Sequence, residues 1–249
     1  MEEKKIKKVL ISGSRGFIGS NLMDYLISNN LAEVYGIDAL EGSNIFTHQA
    51  IPDIDVVFHL AGQTSVGSSI ENPFFDATMN IMATIQLVKL YPKAKIIFAG
   101  SVASKDIQSP YGLSKKTAGE YIKLLAENWV ICNFPNVYGK GSKGVIDTWL
   151  KAKEIIVSGW GVQTRTFVNV IDICKGLIKA IDWKQGEYDL GSGKETAIKD
   201  IAEAISKKTG KKISYVNEKQ GEILNSLVLN TTPDWSSEVD INNYIEQNG

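Results

Sequence analysis

The stretch Val9-Leu10-Ile11, followed after Ser12 by Gly13-Ser14-Arg15-Gly16-Phe17-Ile18-Gly19, decides the fold. A short apolar run predicts a buried strand, and three glycines at spacings of three predict a tight turn into a helix. Glycines there let the backbone approach a pyrophosphate, whose charge is met by the free N–H groups opening the helix. A second apolar run, 34–37, ends on Asp38. A carboxylate at that place accepts hydrogen bonds from ribose hydroxyls and repels a 2′-phosphate. Gly13, Arg15, Gly16, Phe17, Ile18, Gly19 and Asp38 therefore read as a dinucleotide site that prefers NAD. Arg15 would favour a 2′-phosphate, and Asp38 opposes it.

Working outward, the apolar runs 9–11, 34–37, 56–60, 96–99 and 130–134 suit parallel strands buried on both faces. Helical patterns lie between them at 17–27, 74–90 and 111–127. This alternation predicts an α/β chain with a Rossmann-like, doubly wound parallel sheet. After Gly139 the alternation fades, and helices are expected at 145–150, 171–181 and 196–208. The organisation read from this is an NAD-binding domain over 1–139 and a small substrate-binding lobe over 140–249, with segments of the lobe returning to the first domain.

Tyr111-Gly112-Leu113-Ser114-Lys115 places a phenol and an ammonium at i and i+4, on one helix face. Ser101 closes the run 96–99, where a strand delivers it to the carboxyl edge of the sheet. A phenol near pKa 10 is a weak base at neutral pH. A neighbouring ammonium and an oxidised nicotinamide both favour the phenolate, which makes Tyr111 an acid/base candidate. Ser101 is suited to hold the same substrate oxygen.

The remaining composition excludes more than it assigns. A chain of 249 residues with 43% hydrophobic content buries one large core and a small lobe, and a net charge of −1 gives no reason to expect nucleic acid. Cys132 and Cys174 read as buried, reduced thiols. Together with His48 and His59 they have no metal-ligand spacing, so no metal is expected. His59, ending a strand, reads as a structural or cofactor-edge residue. Lys4, Lys5, Lys7 and Lys8 lead into a short strand rather than a signal peptide, and no run approaches a membrane span. A soluble cytoplasmic protein without membrane partners is the expectation.

Further segments carry a family resemblance: Val57-Phe58-His59-Leu60-Ala61-Gly62, Asn80, Ser109-Pro110-Tyr111, Asn136-Val137-Tyr138-Gly139, residues 165–172 and residues 188–193. With the glycine loop and the Tyr-Lys pair, the chain resembles the extended short-chain dehydrogenases that act on nucleotide sugars, the NAD-dependent epimerase/dehydratase family. The resemblance implies that Leu60, Ala61, Gly62, Thr64, Asn80, Phe134 and Asn136 line the NAD site with Tyr111 and Lys115. It implies that Ser101, Asn136, Arg165 and Lys219 hold a nucleotide sugar, most simply a UDP-hexose. Lys219 replaces a family arginine and loses its bidentate fork. The implied reaction is 4-epimerisation through a transient 4-keto sugar, by a homodimer joined along helices 74–90 and 111–127. For Ile81, Ile85, Val88, Ile122 and Leu125, interface and core are both open.

Departures from the family bear on the reading. Between Asp38 and His59 there is too little chain for a third strand and its adenine-contacting acid, and Ser43 to Ile45 are expected to substitute or to leave the adenine exposed. The loop between Ser101 and Tyr111 and the region after Leu229 are short. Asn133 stands where relatives often carry an arginine. Val102-Ala103 after Ser101 lack the Asp-Glu pair of dehydratases. A nucleotide-4-keto-sugar reductase and a non-catalytic NAD-binding regulator are the alternatives.

Overall fold

A computed structural model describes residues 8–42, 44–217 and 224–249. The chain divides into two compact units, one running up to Phe134 and including Leu177–Tyr188, the other comprising Pro135–Gly176 and Asp189–Gly249. The sequence reading put this boundary at Gly139.

In the first unit β1 (Lys8–Ser12), β2 (Glu33–Ile37), β3 (Val56–His59), β4 (Lys95–Ser101) and β5 (Trp129–Phe134) alternate with helices α1 (Phe17–Ser28), α2 (Val66–Glu71), α3 (Pro73–Ala77), α4 (Ala83–Leu90) and α5 (Pro110–Leu125). The described sheet has the order β2-β1-β3-β4-β5-β9, where β9 (Gly186–Asp189) comes late in the chain. Val9 pairs in parallel with Val34 on one side and Val56 on the other, so strand order reverses at β1. A crevice at the carboxyl ends of strands forms at such a switch point. Val9, Leu10 and Ile11 are fully buried, as a strand covered on both faces requires. Truncating Leu10 to Ala would cost about 2–5 kcal/mol.

Three local features differ from the sequence reading, each for a physical reason. The helix expected at 74–90 is broken into α3, a π turn over Thr78–Met82 and α4. In that turn the Ala83 N–H reaches back five residues to the Thr78 carbonyl. Asn72 caps α3 and Pro73 occupies its first position, which starts the helix one residue early. As the sequence leads one to expect, the described residues between Asp38 and β3 hold a 3-10 turn and no strand, and β2 is an edge of the described sheet. Ile45 does not face outward to an adenine: it is 5% exposed in the core around Leu10 and Ile37. Asn44 spends its side chain capping the Phe46 and Thr47 N–H groups, and Ser43 lies outside the described residues. Val88 and Ile122, open between interface and core, belong to that same core.

Lys95 ties the returning segment down, its ammonium donating to the Ile181 and Trp183 carbonyls at 2.7 and 2.6 Å. Those carbonyls follow the end of helix α7 (Val170–Lys179) and have no helical partner there.

The second unit contains β6 (Asn136–Tyr138), α6 (Val145–Lys151), β7 (Ile155–Ser158), β8 (Thr164–Asn169), β10 (Glu195–Ala197), α8 (Ile198–Thr209), β11 (Ile213–Val216) and α9 (Ile241–Asn248). Its sheets have the orders β10-β8-β6 and β11-β7. Ile146, Trp149, Ile155, Val157, Ile201, Ile205 and Ile245 form a separate core. The short C-terminal region is pinned through Asp172, whose Oδ2 accepts from the Glu238 and Val239 N–H groups, both at 2.8 Å. Asp147 bridges the Gly139 N–H and the Tyr244 hydroxyl.

Candidate active site

The glycine loop is shaped by contacts a side chain would forbid. Gly13 has φ +76°, and a Cβ there would lie 2.7 Å from the Ala61 nitrogen. A Cβ on Gly19 would overlap the Gly13 carbonyl, so α1 can approach the loop only with glycine at that position. Gly16, the N-cap of α1, offers no side-chain bond, and the first turn holds no acid. The N–H groups of its first turn are thus left for an anion.

Asp38 stands at the end of β2, with Oδ2 accepting from the Arg15 N–H and Oδ1 from the Leu40 N–H, both at 2.9 Å. The Arg15 guanidinium is paired with Glu41. A carboxylate on that guanidinium competes with any 2′-phosphate, and Glu41 went unread in the sequence because it belongs to a turn with no periodic pattern.

At the end of β3, His59 is fully buried and its partners fix its tautomer. The Thr84 hydroxyl donates to the Asn80 carbonyl at 2.6 Å, so the contact at 2.8 Å between Thr84 Oγ1 and His59 Nε2 requires Nε2 to donate. Nδ1 then accepts from the Ser12 hydroxyl at 2.7 Å. Burial, with a smaller contribution from Lys115, pushes the imidazole down to about 3. His59 is a neutral brace between β1 and the start of α4. Beyond it, a Cβ on Gly62 would sit 2.6 Å from Asn80 Oδ1 and 3.8 Å from Lys115 Nζ. Thr64 is exposed, and Phe134, at the end of β5, is buried.

Ser109 caps α5 by accepting from the Gly112 N–H at 3.2 Å, and Pro110 occupies the first turn, which sets the rotation of the helix. Gly112 lets α5 lie against the turn after β4, since a Cβ there would meet the Ala103 carbonyl at 2.5 Å. Ser101 at the end of β4 and Tyr111 at the start of α5 are thereby brought near each other, and the Ser101 hydroxyl bears on the phenol. Burial pushes the Tyr111 phenol above its ordinary value, the Ser101 hydroxyl pulls it down, and Asp76 pushes it up. Lys115 is 6% exposed, its ammonium 4.5 Å from the centroid of the Phe98 ring. Burial lowers it to about 8 against the opposing charge of Asp76. Asn80 Nδ2 donates to Asp76 Oδ1 and Ser114 Oγ, both at 3.0 Å, and Asn80 Oδ1 is buried without a partner.

These groups suit a dinucleotide: open N–H groups for its phosphates, a carboxylate for a ribose, and a serine, phenol and ammonium at the reacting end. Among the described residues no three His, Cys, Asp or Glu side chains cluster as metal ligands. Both cysteines are free and buried, and burial raises both thiols, Cys174 to about 12.

In the second unit Asn136 on β6 pairs with Phe167 on β8, two residues beyond Arg165, so Asn136 and Arg165 project from the same face of that sheet. Asn136 is exposed, its amide 3.5 Å from the Thr166 carbonyl, and Arg165 is half-buried with Nη1 donating to the Thr164 carbonyl at 2.8 Å. Lys219 lies outside the described residues. Asp76, Ser114 and Gln63, which join the first unit's site, were not read from the sequence. The one available signal was the spacing of Asp76 and Asn80 at i and i+4.

The signature of the NAD dependent epimerase/dehydratase family matches residues 9–191. A protein of Methanocaldococcus jannaschii bearing the provisional name UDP-glucose 4-epimerase is 33% identical, the match covering 86% of this chain and 87% of that one. A UDP-glucuronic acid 4-epimerase from Bacillus cereus, solved with UDP-glucuronic acid and NAD, superposes with a TM-score of 0.86 at 25% identity, covering 97% of each chain. A UDP-N-acetylglucosamine 4-epimerase from Methanobrevibacter ruminantium, solved with UDP-N-acetylmuramic acid, gives 0.85 at 25% identity, over 98% of this chain and 97% of the other.

Proposed function

Because this chain belongs to the NAD dependent epimerase/dehydratase family, we propose that it is an NAD-dependent nucleotide-sugar 4-epimerase acting on UDP-hexoses. The observation that carries the reading is the grouping of Ser101 at the end of β4 with Tyr111 and a buried Lys115 at the start of α5, at the same sheet edge as the glycine loop. Bound NAD would supply reversible hydride acceptance at the sugar C4, the chemistry that epimerisation through a 4-keto sugar needs.

Tyr111 takes the proton of the 4-hydroxyl and gives it back, Ser101 holds that oxygen in line, and Lys115 supplies positive charge that favours the phenolate. The open N–H groups of α1 and the loop of Gly13, Arg15, Gly16, Phe17, Ile18 and Gly19 receive the cofactor diphosphate. Asp38 takes the adenosine ribose. Leu60, Ala61, Gly62, Thr64, Asn80 and Phe134 border the nicotinamide half. Asn136 serves the nicotinamide and the sugar, and Arg165, through its planar fork, serves the sugar diphosphate together with Lys219.

A homodimer is part of the proposal. Phe74 at 82% exposure, Leu124 at 81%, Met82 and Leu125 leave apolar surface uncovered along α3, the π turn and α5. Light scattering at the mass of two chains supports it, and a monomer contradicts it. Among the described residues no helix is long and apolar enough to cross a membrane, and two buried free thiols fit a reducing cytoplasm.

The test is proton NMR of the purified protein with NAD and a set of UDP-hexoses. Appearance of a 4-epimer with no accumulation of NADH supports the reading. Binding of NAD without conversion of any UDP-hexose overturns it in favour of a reductase or a regulator.

A further inference from the structure

One group at this site has no part in the reaction as described above. Asp76 on α3 is 1% exposed, and its Oδ1 accepts two neutral amides, Gln63 Nε2 and Asn80 Nδ2, both at 3.0 Å. Neutral donors alone are poor compensation for a buried carboxylate. Among the described residues Lys115 is the one buried lysine or arginine. It lies at the same place: a Cβ on Gly62 would touch Asn80 Oδ1 at 2.6 Å and Lys115 Nζ at 3.8 Å.

The carboxylate also fixes which way Asn80 points. Asn80 spends its Nδ2 hydrogens on Asp76 and on Ser114, whose hydroxyl in turn donates to the Tyr111 carbonyl at 3.1 Å. Reversing that amide would set its carbonyl against an acceptor-only carboxylate. Asn80 Oδ1 is therefore turned to the Gly62 side, where it is buried with no partner in the protein. An orphan acceptor held so firmly costs stability unless a ligand supplies the donor.

We propose that Asp76 is a positioning residue of this site: it locks the Asn80 amide with Oδ1 presented to an O–H or N–H donor on the nicotinamide half of the cofactor, and it faces Lys115 so that the ammonium stays charged. The proposal rests on the NAD reading above. The titratable groups that bear on Lys115 are Asp76 from α3 and His59 from β3, which burial keeps neutral, with Tyr111 one turn earlier on its own helix. Of these, Asp76 supplies the negative charge. It also raises Lys115 against the desolvation that lowers it.

The test uses cofactor-free full-length protein carrying 13C-labelled lysine, with the Lys115 Cε signal assigned by loss in Lys115→Met and followed against pH, and calorimetric NAD binding alongside. In Asp76→Asn the acceptor shape is kept but the charge is lost and the Asn80 amide is free to reverse. The Lys115 midpoint then falls, and NAD binds roughly tenfold more weakly, as loss of one hydrogen bond implies. A tenfold drop in the proton affinity of Lys115 from its value of about 8 cuts its charged fraction at pH 7.5 about threefold. Asp76→Glu keeps the charge and displaces the acceptor, so the midpoint holds while NAD affinity falls.

An unchanged midpoint in Asp76→Asn overturns the proposal, as does a midpoint that falls equally in Asp76→Glu, which would assign the effect to packing. Should Asp76→Asn not fold, Asp76→Glu decides by the same criterion. Absence of NAD binding in the unaltered protein defeats the functional reading, whereas the Lys115 titration still decides this one.

Discussion

Replacing Lys115 with methionine should make the cofactor-free protein more stable while disabling it. Burial lowers this lysine from 10.5 to about 8. At about 1.4 kcal/mol per tenfold change in proton affinity, the fold gives up about 3 kcal/mol to keep the ammonium charged. Its contact with the Phe98 ring, 4.5 Å to the centroid, returns about 1 kcal/mol, leaving a net gain of about 2 kcal/mol for methionine.

The pH dependence follows from the sign. Below about pH 8 the lysine is charged in both folded and unfolded chains, so the full cost is present. Between about 8 and 10.5 the folded chain loses this proton first, the unfolded state binds more protons, and the cost is relieved as pH rises. The Tyr138 and Tyr244 phenols, held up by burial, act in the opposite direction at high pH, and they cancel in the difference between the two proteins. Urea unfolding should give a Lys115→Met advantage of about 2 kcal/mol at pH 7 that shrinks to under about 1 kcal/mol at pH 10.5. A variant less stable at pH 7, or an advantage that ignores pH, would refute the reasoning. The energetic cost of the charge would then have no bearing on why a lysine stands there.

Three further outcomes follow from the same geometry. Tyr111→Phe should lower kcat by roughly 10²–10⁴, the range of acid/base catalysis, with NAD binding within a few-fold; turnover kept in this variant would remove Tyr111 from the chemistry. Gly19→Ala drives a Cβ into the Gly13 carbonyl, and displacing the loop from two N–H contacts with a diphosphate, at about 1.5 kcal/mol each, should weaken NAD roughly a hundredfold by calorimetry. Lys95→Met leaves the Ile181 and Trp183 carbonyls without their charged donor and should cost about 2 kcal/mol in urea unfolding, a loss that an unchanged midpoint would contradict.

Much of the first unit was legible because its elements are long, apolar and bounded by strong local signals. The strands at 9–11 and 96–99 appear with their ends extended by a residue or two, since Lys8, Lys95 and Ser101 continue the ladder with polar side chains. α5 begins at Pro110, where the Ser109 cap and a proline mark the start. The break at Asn80 was not legible, because the π turn depends on hydroxyls bonding back to carbonyls and on tertiary partners of Asn80, neither of which leaves a period. The later helices at 145–151, 170–179 and 198–209 were readable, whereas the three- and four-residue strands of the second unit were too short to show alternation. Ile45 shows the same limit: an apolar residue in a turn-rich stretch went to the core because the shortened connection carries it there. Glu41 and Asp76 were invisible as site residues, since a charge acquires that meaning only from what the fold sets beside it.

The most direct test of the epimerase account is the fate of a label at sugar C4. The protein is incubated in ordinary water with NAD and UDP-[4-²H]glucose, and the product is examined by NMR and mass spectrometry. The account predicts UDP-galactose that retains deuterium at C4, with no accumulation of NADH. Washout of the label into water, or stoichiometric NADH without the epimer, would contradict it.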